Sequence, residues 1–157
     1  MVNRYRPHLL VLTEDLATHD IAIGFSDNVD GEVEILKYLR GWKHVLEVFQ
    51  DTYIKILREK PDAHIALFID FDNQYTTRFP MFQSAIPADI ADRVFVFGAL
   101  DEAETVRNLT SLKFSRIGAE LASECKTGAT DLWGHVQVQH NQNERIRLHA
   151  KCSHFVL

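Results

Sequence analysis

Two carboxylates separated by one residue close an apolar run in Ile69-Asp70-Phe71-Asp72-Asn73. On a strand, side chains two positions apart project to the same side, so Asp70 and Asp72 form a chelating pair if the extended geometry carries on through Asp72. Hard cations take oxygen ligands, and Mg²⁺ keeps several waters, so one or two carboxylates plus phosphate oxygens satisfy it. Glu14 and Asp15 end an earlier apolar run, Leu9 to Leu12, and Glu102 and Glu104 follow a third, Val94 to Gly98. If these runs are neighbouring parallel strands, about 4.8 Å apart, the three groups of acids converge on one ion. Each acid alone also has a structural reading, as a helix cap or a solvated strand end. Their recurrence at three strand ends is what points to a shared Mg²⁺ or Mn²⁺ site, with Glu14, Asp15, Asp70, Asp72 and Glu102 as its candidate ligands.

Other chemistry finds less support. His135, His140, His149 and His154, with Cys152, crowd the tail, but their spacings match no compact zinc pattern. They read as surface or hydrogen-bonded histidines, with His140 and Glu144 four apart on one helical face near the acids. Arg78 and Arg93 read as salt-bridged surface residues, either of which is also suited to a phosphate contact. A nucleophilic reading of Tyr75 is rejected, because nothing else of a topoisomerase accompanies it. Neither a GxGxxG fingerprint nor a P-loop is present, so dinucleotide and Walker-type nucleotide binding lack their phosphate cradle. No Ser-His-Asp or Cys-His arrangement stands out.

The elements that must position these residues follow from the apolar pattern. Leu9 to Leu12, His64 to Ile69 and Val94 to Gly98 are unbroken apolar runs, as expected of strands buried on both faces. Thr18 is expected to cap a short helix ending near Ser26, and Val33 to Leu36 reads as a second strand or the entry to the next helix. Trp42, Val45, Leu46, Phe49, Tyr53, Ile54 and Leu57 recur at spacings of three and four, which predicts one amphipathic helix from Trp42 to Glu59, stopped by Pro61. Pro80 and Pro87 predict a broken helix or loop over Phe79 to Ile90. Helices are expected over Glu102 to Leu109 and Phe114 to Cys125. A short helix around Ile146 and Leu148 and a closing strand from His154 to Leu157 complete the chain. Strands alternating with helices predict an α/β fold, a three-layer sandwich with a mostly parallel central sheet, whose sites form beyond the carboxyl ends of the strands.

The 157 residues, 46% hydrophobic and 25% charged, suit a single domain spanning residues 1–157 with its own core. A net charge of -5 excludes holding nucleic acid by bulk electrostatics, which needs clustered Lys and Arg. Any such contact must be local, metal-assisted or shared with a partner. The apolar runs are far below the roughly 20 residues of a membrane span. With two cysteines and no apolar signal core after Met1, the cytosol is the expected compartment.

Three resemblances emerge from these residues. A Glu closing the first strand, Asp15 and Asp20 behind it, and an Asp-x-Asp strand end fifty-six positions after Glu14 look like the Toprim domain of topoisomerases, primases and OLD-type nucleases, over roughly residues 8 to 105. That resemblance implies a Toprim/Rossmann-like sheet and a Mg²⁺- or Mn²⁺-dependent phosphodiesterase or nuclease acting on nucleic acid. Glu14 would be its general acid or base, Asp70 and Asp72 its metal pair, and Glu102 or Glu104 the additional acid. Phe68-Ile69-Asp70-Phe71-Asp72-Asn73 also looks like the opening strand of PIN-like NYN ribonucleases, although here about sixty residues precede it. The chain further resembles small bacterial proteins in which Ile-Asp-Phe-Asp precedes Arg-Val-Phe-Val, a likeness that carries no activity. The rival to the enzyme is a catalytically silent α/β subunit of a larger DNA-processing or defence complex, its acids serving as caps.

Overall fold

The computed structural model describes residues 2–157. Four strands, β1 (His8–Thr13), β2 (Val33–Ile35), β3 (Ala63–Asp70) and β4 (Val94–Ala99), form one all-parallel sheet in the order β2-β1-β3-β4. The chain leaves β1 for one edge and later returns across it to β3 before moving on to β4. The order therefore reverses between β1 and β3, and a crevice opens at their carboxyl ends. Thr13 lies opposite Phe68, and Asp70 opposite Ala99.

Alternation along the strands divides the core in two. Leu10, Leu12, Ile65, Leu67, Ile69, Val94 and Val96 face a layer built from α2 (Trp42–Val48), α3 (Ile54–Glu59) and α4 (Tyr75–Ala85), where Val45, Phe49, Leu57 and Phe82 are fully buried. Leu9, Val11, Ala66, Phe95 and Ala99 face the opposite layer: α1 (Leu16–Ser26), α5 (Ala103–Thr110), α6 (Phe114–Thr127) and α7 (Gln142–Val156). The fold is thus the expected α/β three-layer sandwich. Among the described residues no helix is long and apolar enough to cross a membrane, and Cys125 and Cys152 are free thiols.

Several local expectations are corrected. The helix expected from Trp42 to Glu59 contains a π turn, Phe49–Tyr53, between α2 and α3. Phe49 and Leu57 are both fully buried, yet eight residues at 100° each overshoot two α-turns by roughly 80°. Absorbing one residue in the π turn brings Leu57 back to within about 20° of Phe49. α4 runs straight through Pro80. Thr76 and Pro80 are both exposed, so the carbonyl that proline leaves unbonded meets water. The N-cap of α1 is Asp15, not Thr18, which completes the capping box from the third helical position. The tail contains no closing strand, because α7 continues to Val156.

That last helix substitutes for a fifth strand. β4 is an edge, and an edge strand presents unpaired N–H and C=O groups. Arg147 donates to the Val94 carbonyl, the Glu144 carboxylate accepts from Val96 N–H, and Asn141 both accepts from Gly98 N–H and donates to its carbonyl. The Gln137 carbonyl accepts from Leu100 N–H. This row of groups meets most of the outward-facing backbone of β4 and of Leu100 beyond it.

Candidate functional site

Each acid reaches the carboxyl end of the sheet by a different local device. Glu14 continues the β1 ladder, its N–H donating to the Phe68 carbonyl at 3.1 Å. Its side chain crosses to β3, where Oε2 accepts from Asp70 N–H at 2.6 Å. Asp15 turns the other way and is spent on the α1 cap, accepting from Thr18 N–H at 2.9 Å.

β3 ends at Asp70, so the extended geometry does not carry through to Asp72. Asp72 and Asn73 are left-handed, with φ of 50° and 58°, a conformation Asp and Asn tolerate better than most residues. The turn is pinned to the loop after β4, since Asp72 N–H donates to the Asp101 carbonyl at 2.9 Å and Asn73 N–H to the Leu100 carbonyl at 2.8 Å. The two acids therefore separate. Asp70 is buried, its Oδ1 accepting from Ala103 N–H at the start of α5, at 3.0 Å. Asp72 turns outward, its side chain 40% exposed.

Asp72, Asp101 and Glu102 each present an oxygen within 4.8 Å of the others, the one such group of three metal-ligating side chains among the described residues. An ion with oxygens at about 2.1–2.5 Å holds opposite ligands roughly 4–5 Å apart, so this spacing suits one hard divalent cation. Sequence reasoning had singled out Glu102 and Glu104 but passed over Asp101. What brings it in is the turn after β3, where Asp72 N–H donates to the Asp101 carbonyl, a pairing that no apolar pattern signals. Glu102 holds the N-cap position of α5 without using its side chain as a cap. Glu104, in the first turn, acts through its charge on Asp70 and Glu102.

Burial dominates the electrostatics. Loss of hydration pushes the Glu14 carboxyl up to about 7, partly offset by its hydrogen bond from Asp70 N–H. Burial, reinforced by the charges of Glu14 and Asp15, pushes Asp70 up to about 8. Glu102 is raised too, by desolvation and then by the neighbouring Glu104 and Asp101. Burial and neighbouring like charges thus disfavour the ionised forms of Glu14 and Asp70.

Arg78 is buried and ties the turn together rather than lying on the surface. Its Nη1 donates to the Asp70 carbonyl at 2.9 Å and to Asp72 Oδ2 at 2.6 Å, and its guanidinium lies 4.3 Å from the Trp42 ring centre. Arg93 is elsewhere, closing the end of α3 through the carbonyls of Leu57, Lys60 and Ala63. Tyr75 stacks on Phe79 and meets Phe71 and His140 edge-on, in an aromatic cluster beside the turn. His140 and Glu144 share the side of the tail that faces β4, where His140 Nε2 bonds the Gly98 carbonyl at 2.6 Å and Glu144 holds Val96 N–H. Compared with known proteins, the chain matches no family model, no curated protein and no solved structure.

Proposed function

We propose that the carboxyl end of the sheet is a divalent-cation site serving hydrolysis of a phosphodiester in nucleic acid, in the manner of a Toprim-like nuclease. The observation that carries this proposal is the convergence of Asp72, Asp101 and Glu102 within 4.8 Å at the crevice where Glu14 and Asp70 meet. Asp72, Asp101 and Glu102 would hold Mg²⁺ or Mn²⁺, with Asp70 behind them and Asp15 committed to its helix. The bound ion would polarise the phosphate and lower the pKa of an attacking water. Glu14, with its carboxyl near 7, is poised to take or return a proton at neutral pH. Arg78 orients the Asp72 carboxylate and fixes the turn that carries it. A chain of net charge -5 would meet its substrate through the cation and not through a basic face.

A second reading has its own support. Asp15 caps α1 and Asp70 holds the first N–H of α5, so two of the expected ligands already have structural work, as an interaction subunit of a larger complex would require. Calorimetric titration with Mn²⁺ separates the two, followed by incubation with labelled single- and double-stranded DNA and RNA. Binding abolished in Asp72→Asn and Asp101→Asn, with metal-dependent cleavage by the unsubstituted chain alone, supports the nuclease. Metal binding without cleavage of any substrate supports the silent subunit, and absence of Mn²⁺ binding removes the metal site itself.

A further inference from the structure

The two faces of the sheet are packed to different standards. On the α2–α4 side, Ile65, Leu67, Ile69, Val94 and Val96 retain at most 1% exposure. On the other side, Phe68 and Phe97 sit in β3 and β4 under a helical layer, yet both remain only half-buried. What they border is a cavity of about 100 Å³, walled by Ala66 and these two rings from the sheet and by Ile21, Leu121 and Trp133 from the helical layer.

The cavity is held open by its own walls. Gly24 and Gly118 let α1 and α6 pack backbone to backbone, since a Cβ on Gly118 would stand 1.9 Å from the Ile21 carbonyl oxygen. α6 is thereby committed to α1 instead of settling onto the sheet. Trp133 is fixed by its indole N–H, which donates to the Leu121 carbonyl at 3.0 Å, and by the buried Glu124 carboxylate, which accepts from its backbone N–H at 3.1 Å. The lining offers a guest almost nothing polar. Its one polar side chain, Asn141, is fully engaged with Gly98 N–H, the Gly98 carbonyl and the Val138 carbonyl. Water needs two to four polar partners to occupy a buried site, whereas an apolar cavity of roughly 150 Å³ stays dry and takes benzene or xenon. Phe25 and Leu148, both half-buried, line this cavity and also a neighbouring one of about 20 Å³, and so mark its way toward the surface between α1 and α7.

We propose that this cavity is a binding site for a small uncharged hydrocarbon, a short alkyl chain or a single aromatic ring. None of the acidic residues lines it, although Ala103, whose N–H holds Asp70, does.

The test is a titration of the full chain, methyl-labelled with ¹³C, with xenon and then benzene. Saturable shifts are expected at the methyls of Val11, Ile21 and Leu121 and not at Ile65 or Leu67 across the sheet. No saturable shift, equal shifts on both faces, or water cross-peaks to the cavity methyls would overturn the proposal. Ala66→Leu places three further carbons in the space and is expected to weaken benzene binding at least tenfold, with unchanged binding counting against the site. Ala22→Val, filling from the helix side, gives the same readout if Ala66→Leu does not fold.

Discussion

The backbone N–H of Asp70 donates to the Glu14 carboxylate at 2.6 Å, joining positions 56 residues apart. That bond closes the mouth of the crevice between β1 and β3 with a group that is itself titratable near neutrality. It makes the stability of the sheet's carboxyl end depend on pH and on cations.

The sign follows from the direction of the two shifts. Glu14 and Asp70 are raised in the folded chain, to about 7 and about 8 from 4.5 and 3.8. The folded state therefore binds protons more tightly than the unfolded one, and stability falls as pH rises through that window. The pair's contribution is expected to be full below about pH 4, so the midpoint of thermal unfolding should decline from pH 5 to about pH 8 and level off above it. Mn²⁺ should raise it more at pH 8 than at pH 5. Glu14→Gln keeps an acceptor for Asp70 N–H and should flatten the decline. A midpoint constant from pH 5 to 8.5 in the unsubstituted chain would show that the pair is not buried as described.

Asp70 contributes to the fold through α5. Asp70→Ala leaves Ala103 N–H without its acceptor and is expected to cost about 1 kcal/mol, the usual scale for a lost helix N-terminal acceptor. Asp70→Asn retains an oxygen acceptor and removes a carboxyl that resists ionising, so at pH 8 it should match or exceed the unsubstituted chain in urea denaturation. Equal losses in both variants would mean that the carboxylate charge, not the hydrogen bond, holds α5.

Arg78, buried beneath the turn, is expected to be a sensitive position of the site. Arg78→Met removes the donor to the Asp70 carbonyl and leaves Asp72 unpaired, a loss of about 2–3 kcal/mol by the cost of stranding a buried acceptor. A double-mutant cycle with Trp42→Leu should give a coupling of about 0.5–1 kcal/mol or more, the worth of a cation over an aromatic face. A coupling near zero would make the 4.3 Å approach of Arg78 to Trp42 incidental.

The sequence disclosed this architecture unevenly, for physical reasons. β1, β3 and β4 are legible because strands buried on both faces must be apolar throughout, and their acids stand out where the apolar runs stop. The expected pairing of Asp70 with Asp72 depended on a backbone that stays extended, and the left-handed turn at Asp72 and Asn73 sends the two carboxylates to different tasks. Asp101 is not legible because its place beside Asp72 comes from the turn that binds the loops after β3 and β4 together, which apolar pattern does not define. The end of α7 resembles a strand in sequence because Phe155, Val156 and Leu157 are consecutive apolar residues, whereas Leu148, Cys152 and Val156, four apart, are the stripe that packs on the sheet.

Asn141 satisfies both the N–H and the carbonyl of Gly98, and Glu144 satisfies Val96 N–H while pairing with Arg147. No strand on this side offers a replacement, so Asn141→Ala strands the buried Gly98 N–H, at about 1–3 kcal/mol, while His140 still bonds the Gly98 carbonyl. Glu144→Gln keeps an acceptor for Val96 N–H but loses the ion pair, and should cost less. The larger consequence is association. An uncovered parallel edge pairs with other chains, so Asn141→Ala is expected to form concentration-dependent oligomers in sedimentation velocity. Protection of the Val96 and Gly98 amides from hydrogen exchange should fall in the monomeric fraction. A monomeric Asn141→Ala chain with protection equal to that of the unsubstituted chain would mean that α7 shields β4 by bulk alone, without its side-chain hydrogen bonds.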